Sequence, residues 1–147
     1  MRVFGIFIAE ERSLFVKLKT NMKSTDTVIK KKILILEDEG DTCFLLNGIL
    51  QNDHVSIEQV NTIAQAIVFL KEETPDVLIM DNKLPDGRGV NHIQEFKQAY
   101  PTLKIIMISG KSDASDKAKA MKYGADRFLA KPFTKEQIQQ SLQQLAV

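Results

Sequence analysis

The sequence predicts an α/β domain organised as a doubly wound parallel sheet. Three observations lead there. The runs "KILIL", "DVLIM" and "KIIMI" are uninterrupted apolar segments, the pattern of strands covered on both faces. Helical periodicities separate these runs, so strand and helix alternate about five times, which implies parallel pairing with helices on both faces. The 147 residues, 44% hydrophobic and 27% charged, suit one domain with a sizeable core.

The elements run in order along the chain. Lys32 to Leu36 is the first buried strand. Asp41 to Leu50 is helical, with Phe44, Leu45 and Ile49 at helical spacing. "VSIEQV" alternates, as a less buried strand does. Thr62 to Lys71 places Ile63, Ala66, Ile67 and Leu70 on one helical stripe. "DVLIM" is the third strand, and Leu84-Pro85-Asp86-Gly87 turns the chain after it. Gly89 to Tyr100 reads as a helix carrying Val90, Ile93 and Phe96 on one face, stopped before Pro101. "KIIMI" is the fourth strand. Ala114 to Tyr123 is helical and closed by Gly124. "RFLA" is a short fifth strand, and Thr134 with Gln137 forms a capping-box pattern at the last helix.

Composition excludes some functions. A formal net charge of +1 gives no global electrostatic reason to expect a nucleic-acid partner. Lys30-Lys31-Lys32 reads as the solvated start of a strand. The single cysteine, Cys43, rules out an internal disulfide and a cysteine-based zinc cluster, and fits a reducing, cytoplasmic setting. On a helical pattern it reads as a small core residue. His54 and His92 lack metal-ligand spacing, so surface or interface positions are expected.

The first 29 residues form an extension ahead of a domain at 30–147. The run in "MRVFGIFIAE" is too short to span a bilayer and lacks a cleavage pattern, so no membrane association is expected. The extension is either a start placed upstream of a natural one at Met22 or a short element that docks on the domain or a partner.

Function is legible just past each apolar run. Glu37-Asp38-Glu39 come after the first strand, Asp81 after the third, Ser109-Gly110 after the fourth and Lys131-Pro132 after the fifth. Parallel strands share direction, so all four sets fall on one edge of the sheet, where sites form in such folds. The first and third strands are central neighbours, which places Asp38 opposite Asp81 with Glu37 near. Crowded carboxylates repel unless a cation neutralises them. Oxygen ligands suit Mg²⁺, which takes one or two protein carboxylates and keeps waters. A lysine and a hydroxyl converging on that cleft suit a phosphoryl group, whose transfer rests on positioning and electrostatics. The nucleophile would be a carboxylate. Each segment alone reads more simply as a solvated turn or helix start; four in complementary roles on one edge are the stronger signal.

The segments "ILEDE", "LIMDNKLPDGRG", "IIMISGKSD" and "ADRFLAKPF" together resemble the receiver domain of two-component response regulators, over about Lys31 to Ala146. The resemblance implies a flavodoxin-like (βα)5 sheet of order 2-1-3-4-5. It implies that Asp81 accepts the phosphoryl group, with Ser109 as the conserved hydroxyl and Lys131 as the conserved lysine. Mg²⁺ (or Mn²⁺) would be held by Glu37, Asp38, Asp81 and the backbone carbonyl of Asn82. Ser109 and Phe128 would form the conformational switch, and Lys83 and Lys111 would tune the dephosphorylation rate. The Lys131-Pro132 bond is often cis in this family. The implied donor is a histidine kinase or a histidine phosphotransfer protein. Phe128 lacks a hydroxyl, so a hydrogen-bonded version of the aromatic switch is not expected.

After Lys131 only one helix is predicted, so the expected output is a contact with an unidentified protein or onward phosphotransfer, with a homodimer through the last two helices as an option. Two rivals stand against the signalling switch. A phosphorylation-independent interaction module has no need for the acidic cluster. A turnover phosphatase would want a second acid shortly after the nucleophile, where this chain has Asn82 and Lys83. No turnover enzyme is expected.

Overall fold

The computed structural model describes residues 29–110 and 114–147. Five strands, β1 (Lys31–Leu36), β2 (Val55–Val60), β3 (Val77–Asp81), β4 (Lys104–Ser109) and β5 (Arg127–Ala130), form a sheet of order β2-β1-β3-β4-β5. All pairings are parallel. Five helices separate and flank them: α1 (Gly40–Leu50), α2 (Ile63–Glu72), α3 (Ile93–Ala99), α4 (Ala114–Tyr123) and α5 (Lys135–Gln144). The doubly wound, flavodoxin-like order expected of the sequence is the order observed.

The apolar runs sort by parity, as strands covered on both faces require. Leu34, Leu36, Leu78, Met80, Ile105 and Met107 point to one face and pack with residues of α2, α3 and α4. Ile33, Ile35, Val77, Ile79, Ile106 and Ile108 point to the other and pack with Cys43, Leu46, Leu50 and Ile138 from α1 and α5. The strand β2 lies at the edge and is only partly buried, which is why its sequence alternates.

Local signals place most boundaries. The Thr62 side chain caps α2 by accepting Gln65 N–H at 3.1 Å. Thr134 and Gln137 complete the capping box of α5. Gly124, at φ +113°, closes α4 in a conformation that favours glycine. Two expectations need correction. The segment expected as one helix from Gly89 to Tyr100 is a 3-10 turn, Gly89–His92, followed by α3. On α1 the inward face carries Cys43, Leu46 and Leu50, whereas Phe44 is 84% exposed and Leu45 is also exposed. Apolar residues occupy both faces of that helix, so periodicity alone does not say which one turns inward.

The loop after β3 matters for the site. Lys83–Leu84 and Gly87–Arg88 form a two-residue antiparallel ladder around the Pro85-Asp86 turn. Asp86 uses both carboxylate oxygens to accept the N–H groups of Ile63 and Ala64, each at 2.9 Å, and so joins this loop to the start of α2. Gly89 sits where a Cβ would lie 2.4 Å from the Asp81 carbonyl oxygen and 2.9 Å from Met80 Cε. The chain therefore folds back against β3 only because residue 89 has no side chain. The N-terminal extension lies outside the described residues, apart from its last residue, Ile29.

Candidate functional site

Parallel strand direction brings the ends of β1, β3, β4 and β5 to one edge. Glu37 follows β1 directly, Asp81 ends β3, Ser109 ends β4 and Lys131 follows β5. Among the described residues, Glu37, Asp38 and Asp81 form an acidic group whose ligand oxygens all lie within 4.8 Å of one another. The Lys131 ammonium reaches into it, 3.2 Å from Glu37 Oε2 and 3.4 Å from Asp81 Oδ1. The 94 positions that separate Glu37 from Lys131 in sequence are bridged by the fold alone.

The three acids differ in environment. Glu37 is 1% exposed, Asp81 is buried and Asp38 is exposed. Burial, and then the charge of Asp81, push the Glu37 carboxyl from its ordinary 4.5 up to about 7. The Glu39 N–H, at 3.1 Å from Glu37 Oε1, and Lys131 offset part of that rise. Burial also raises Asp81, opposed by Lys131, by the Asn82 N–H at 2.8 Å from Oδ1 and by the Glu37 side chain. Burial alone would lower Lys131, but Asp81 and Glu37 outweigh it and hold the ammonium more firmly protonated. Three carboxylates against one ammonium leave excess negative charge on hard oxygen donors. That donor set fits Mg²⁺ or Mn²⁺.

The other predicted residues take distinct places. Ser109 is fully buried, pairs with Ala130 in the ladder, and its carbonyl accepts Lys131 N–H at 2.7 Å. Phe128 on β5 is half-buried against the cluster that includes Met107 and Ala120. Lys131-Pro132 is cis. Lys83 is exposed in the small ladder, and Lys111 lies outside the described residues. The Asn82 carbonyl accepts Gly89 N–H at 2.8 Å, so one of its lone pairs is already engaged, and its side chain turns away from the acids toward Asp116. The side chains brought together as possible cation ligands are the three carboxylates, and the Asn82 carbonyl keeps a second lone pair. Arg88 and Asp116, which hold that loop to α4, carry no motif that would single them out in the sequence.

The model of the response regulator receiver domain family matches residues 33–143. This chain belongs to that family. Receiver domains act in phosphorylation-based two-component signalling, bind Mg²⁺ in an acidic pocket and meet histidine kinases and output partners. Among characterised relatives, the KDP operon transcriptional regulatory protein KdpE of Escherichia coli (strain K12) is 34% identical over 101 residues, covering 69% of this chain and 44% of that protein. The transcriptional regulatory protein KdpE of Staphylococcus aureus is 30% identical over 110 residues, covering 75% of this chain and 47% of that protein. This receiver chain spans about half the length of the curated relatives it matches. Among solved structures, the beryllofluoride-activated NtrC4 receiver domain dimer superposes with a TM-score of 0.72 at 31% identity, covering 78% of this chain and 94% of that one. A receiver domain protein from Clostridium thermocellum gives 0.72 at 26% identity, covering 78% and 93%. Among the described residues no helix is long and apolar enough to cross a membrane.

Proposed function

We propose that this receiver domain accepts a phosphoryl group on Asp81 from the phosphohistidine of a histidine kinase or a histidine phosphotransfer protein. The observation that carries the proposal is the Lys131 ammonium set between Glu37 and Asp81 within one acidic group. A carboxylate oxygen of Asp81 attacks phosphorus in line. A P–O bond forms, the P–N bond to the imidazole breaks, and the departing nitrogen takes a proton from solvent. Lys131 faces the oxygens on which charge accumulates, and the Ser109 hydroxyl donates to one of them. Glu37 and Asp38, with Asp81, are the residues that would hold Mg²⁺ or Mn²⁺, which supplies charge neutralisation at the carboxylates and at the phosphoryl oxygens. Glu37 must lose its proton before it serves as a ligand.

Readout is proposed to run through Ser109 and Phe128. Ser109 moves toward the phosphoryl group, Phe128 turns inward, and a protein partner reads the altered surface of α4 and β5. Lys83 and Lys111 are proposed to adjust how fast water removes the group. The cycle is stoichiometric, with the domain as substrate rather than turnover enzyme.

The test is label transfer from a phosphorylated histidine phosphotransfer domain. Wild-type protein is expected to take label only with divalent cation present, and Asp81→Asn to take none. Equal labelling of Asp81→Asn would overturn the assignment. Absence of labelling in wild type, with retained partner capture, would favour the phosphorylation-independent module.

A further inference from the structure

Asn82 follows Asp81 directly and is fully buried. Beside the Gly89 N–H bond to its carbonyl, three further hydrogen bonds fix it. Its main-chain N–H donates to Asp81 Oδ1 at 2.8 Å. Its side-chain oxygen accepts Val90 N–H at 3.1 Å. Its side-chain Nδ2 donates to Asp116 Oδ2 at 2.6 Å, in the first turn of α4. Arg88 pairs with that same Asp116 oxygen. The Asn82 main chain thus meets the Asp81 carboxylate while the Asn82 side chain reaches α4.

We propose that Asn82 and Asp116 form a relay that couples the chemical state of Asp81 to the seating of α4, and that the relay favours the unmodified domain. The inference rests on Asp81 being the acceptor. Both ends of the Asn82 amide are held, so the residue cannot turn without giving up the Val90 or the Asp116 bond. In the unmodified domain its main-chain N–H faces an ionised carboxylate. Phosphoryl transfer leaves a neutral acyl carbonyl at the oxygen that still faces Asn82. Hydrogen bonds to ionised acceptors are about twice as strong as neutral ones, so this bond weakens on modification. An interaction stronger in one state opposes conversion to the other, and the coupling is reciprocal. Holding α4 through Asp116 therefore opposes modification of Asp81, and modification loosens the hold on α4. Asp116 is a positioning residue in this scheme, acting through Asn82.

The experiment is a beryllofluoride titration of the whole chain in the presence of Mg²⁺, with amide exchange read along α4. Asp116→Ala is expected to bind beryllofluoride about fivefold more tightly than wild type, the lower end of ordinary coupling between sites. Its α4 first turn should exchange, without beryllofluoride, as fast as that of the wild-type complex. A merely structural role for Asp116 would leave the affinity unchanged or weaker, and that result overturns the relay. Should Asp116→Ala fail to fold, Arg88→Gln decides: a smaller shift in the same direction supports the relay, and no shift overturns it. A wild-type domain that takes no beryllofluoride removes the acceptor reading and the relay with it. A wild type that binds while both folded variants bind equally well overturns the relay alone.

Discussion

The Nζ atom of Lys131 lies 3.2 Å from Oε2 of Glu37, a contact between the last strand-end of the sheet and the first. The ammonium lowers the carboxyl it faces, yet burial and Asp81 still leave Glu37 at about 7. Replacing Lys131 by Ala removes that offset. The expected outcome is a Glu37 titration midpoint displaced upward from about 7, followed by carbon-detected NMR of the carboxyl groups. A midpoint that stayed in place would mean the two side chains do not meet in solution.

The same elevated carboxyl sets a pH dependence for cation binding. Below about 7 Glu37 carries a proton that an incoming cation must displace. Mg²⁺ affinity is expected to rise with pH through that region, by at most about tenfold per pH unit for one proton, and then to level off. Calorimetric titrations at several pH values measure this, and a flat profile would separate Glu37 from the metal site.

Stability of the metal-free domain should move the opposite way. The folded state binds more protons than the unfolded chain between 4.5 and about 7, because the Glu37 carboxyl is raised. Metal-free stability is therefore expected to fall as pH rises through that window. Mg²⁺ should offset the loss above it, since a ligand bound only by the folded state stabilises that state. Urea unfolding with and without a chelator reads both effects.

Asp86 gives a prediction of opposite sign. The Ala64 and Ile63 N–H groups hold its carboxyl below the ordinary 3.8. Its contribution is present above 3.8 and is lost as pH falls through the lowered folded-state value. Asp86→Ala is expected to lower Tm at neutral pH, with the gap to wild type closing in strong acid, and to speed amide exchange at Ile63 and Ala64. A constant gap at every pH would show that the carboxylate is not the cap.

Gly89→Ala tests the loop that folds back on β3. The added methyl would meet the Asp81 carbonyl oxygen, a backbone atom with little freedom to move away. A loss of about 1–3 kcal/mol is expected by urea denaturation, as for other overpacked sites. The relay through Asn82 should loosen at the same time, because Val90, which donates to Asn82, adjoins Gly89.

How much the sequence discloses depends on how each feature is encoded. The strands are legible because Ile33 to Leu36, Val77 to Met80 and Ile105 to Ile108 are apolar at every position, a pattern that only two-sided burial demands. The edge common to Glu37, Asp81, Ser109 and Lys131 is legible because parallel strands share direction. The buried face of α1 is not, since Phe44 and Leu45 are as apolar as Cys43 and Leu46. The split of Gly89–Ala99 depends on the close approach of Gly89 to Asp81, a tertiary contact. The links from Asn82 to Asp116, and from Asp86 to α2, join residues 34 and more than 20 positions apart with no spacing rule to announce them.

The Asp81 carboxylate is proposed to take the phosphoryl group. Peptide mapping by tandem mass spectrometry tests it most directly, after exposure to phosphoramidate and Mg²⁺ and reductive trapping of any acyl phosphate. A modified residue at Asp81 and none elsewhere is expected, with the signal abolished by chelation. Modification of Glu37 or Asp38 in its place, or an adduct that persists in Asp81→Asn, would contradict it.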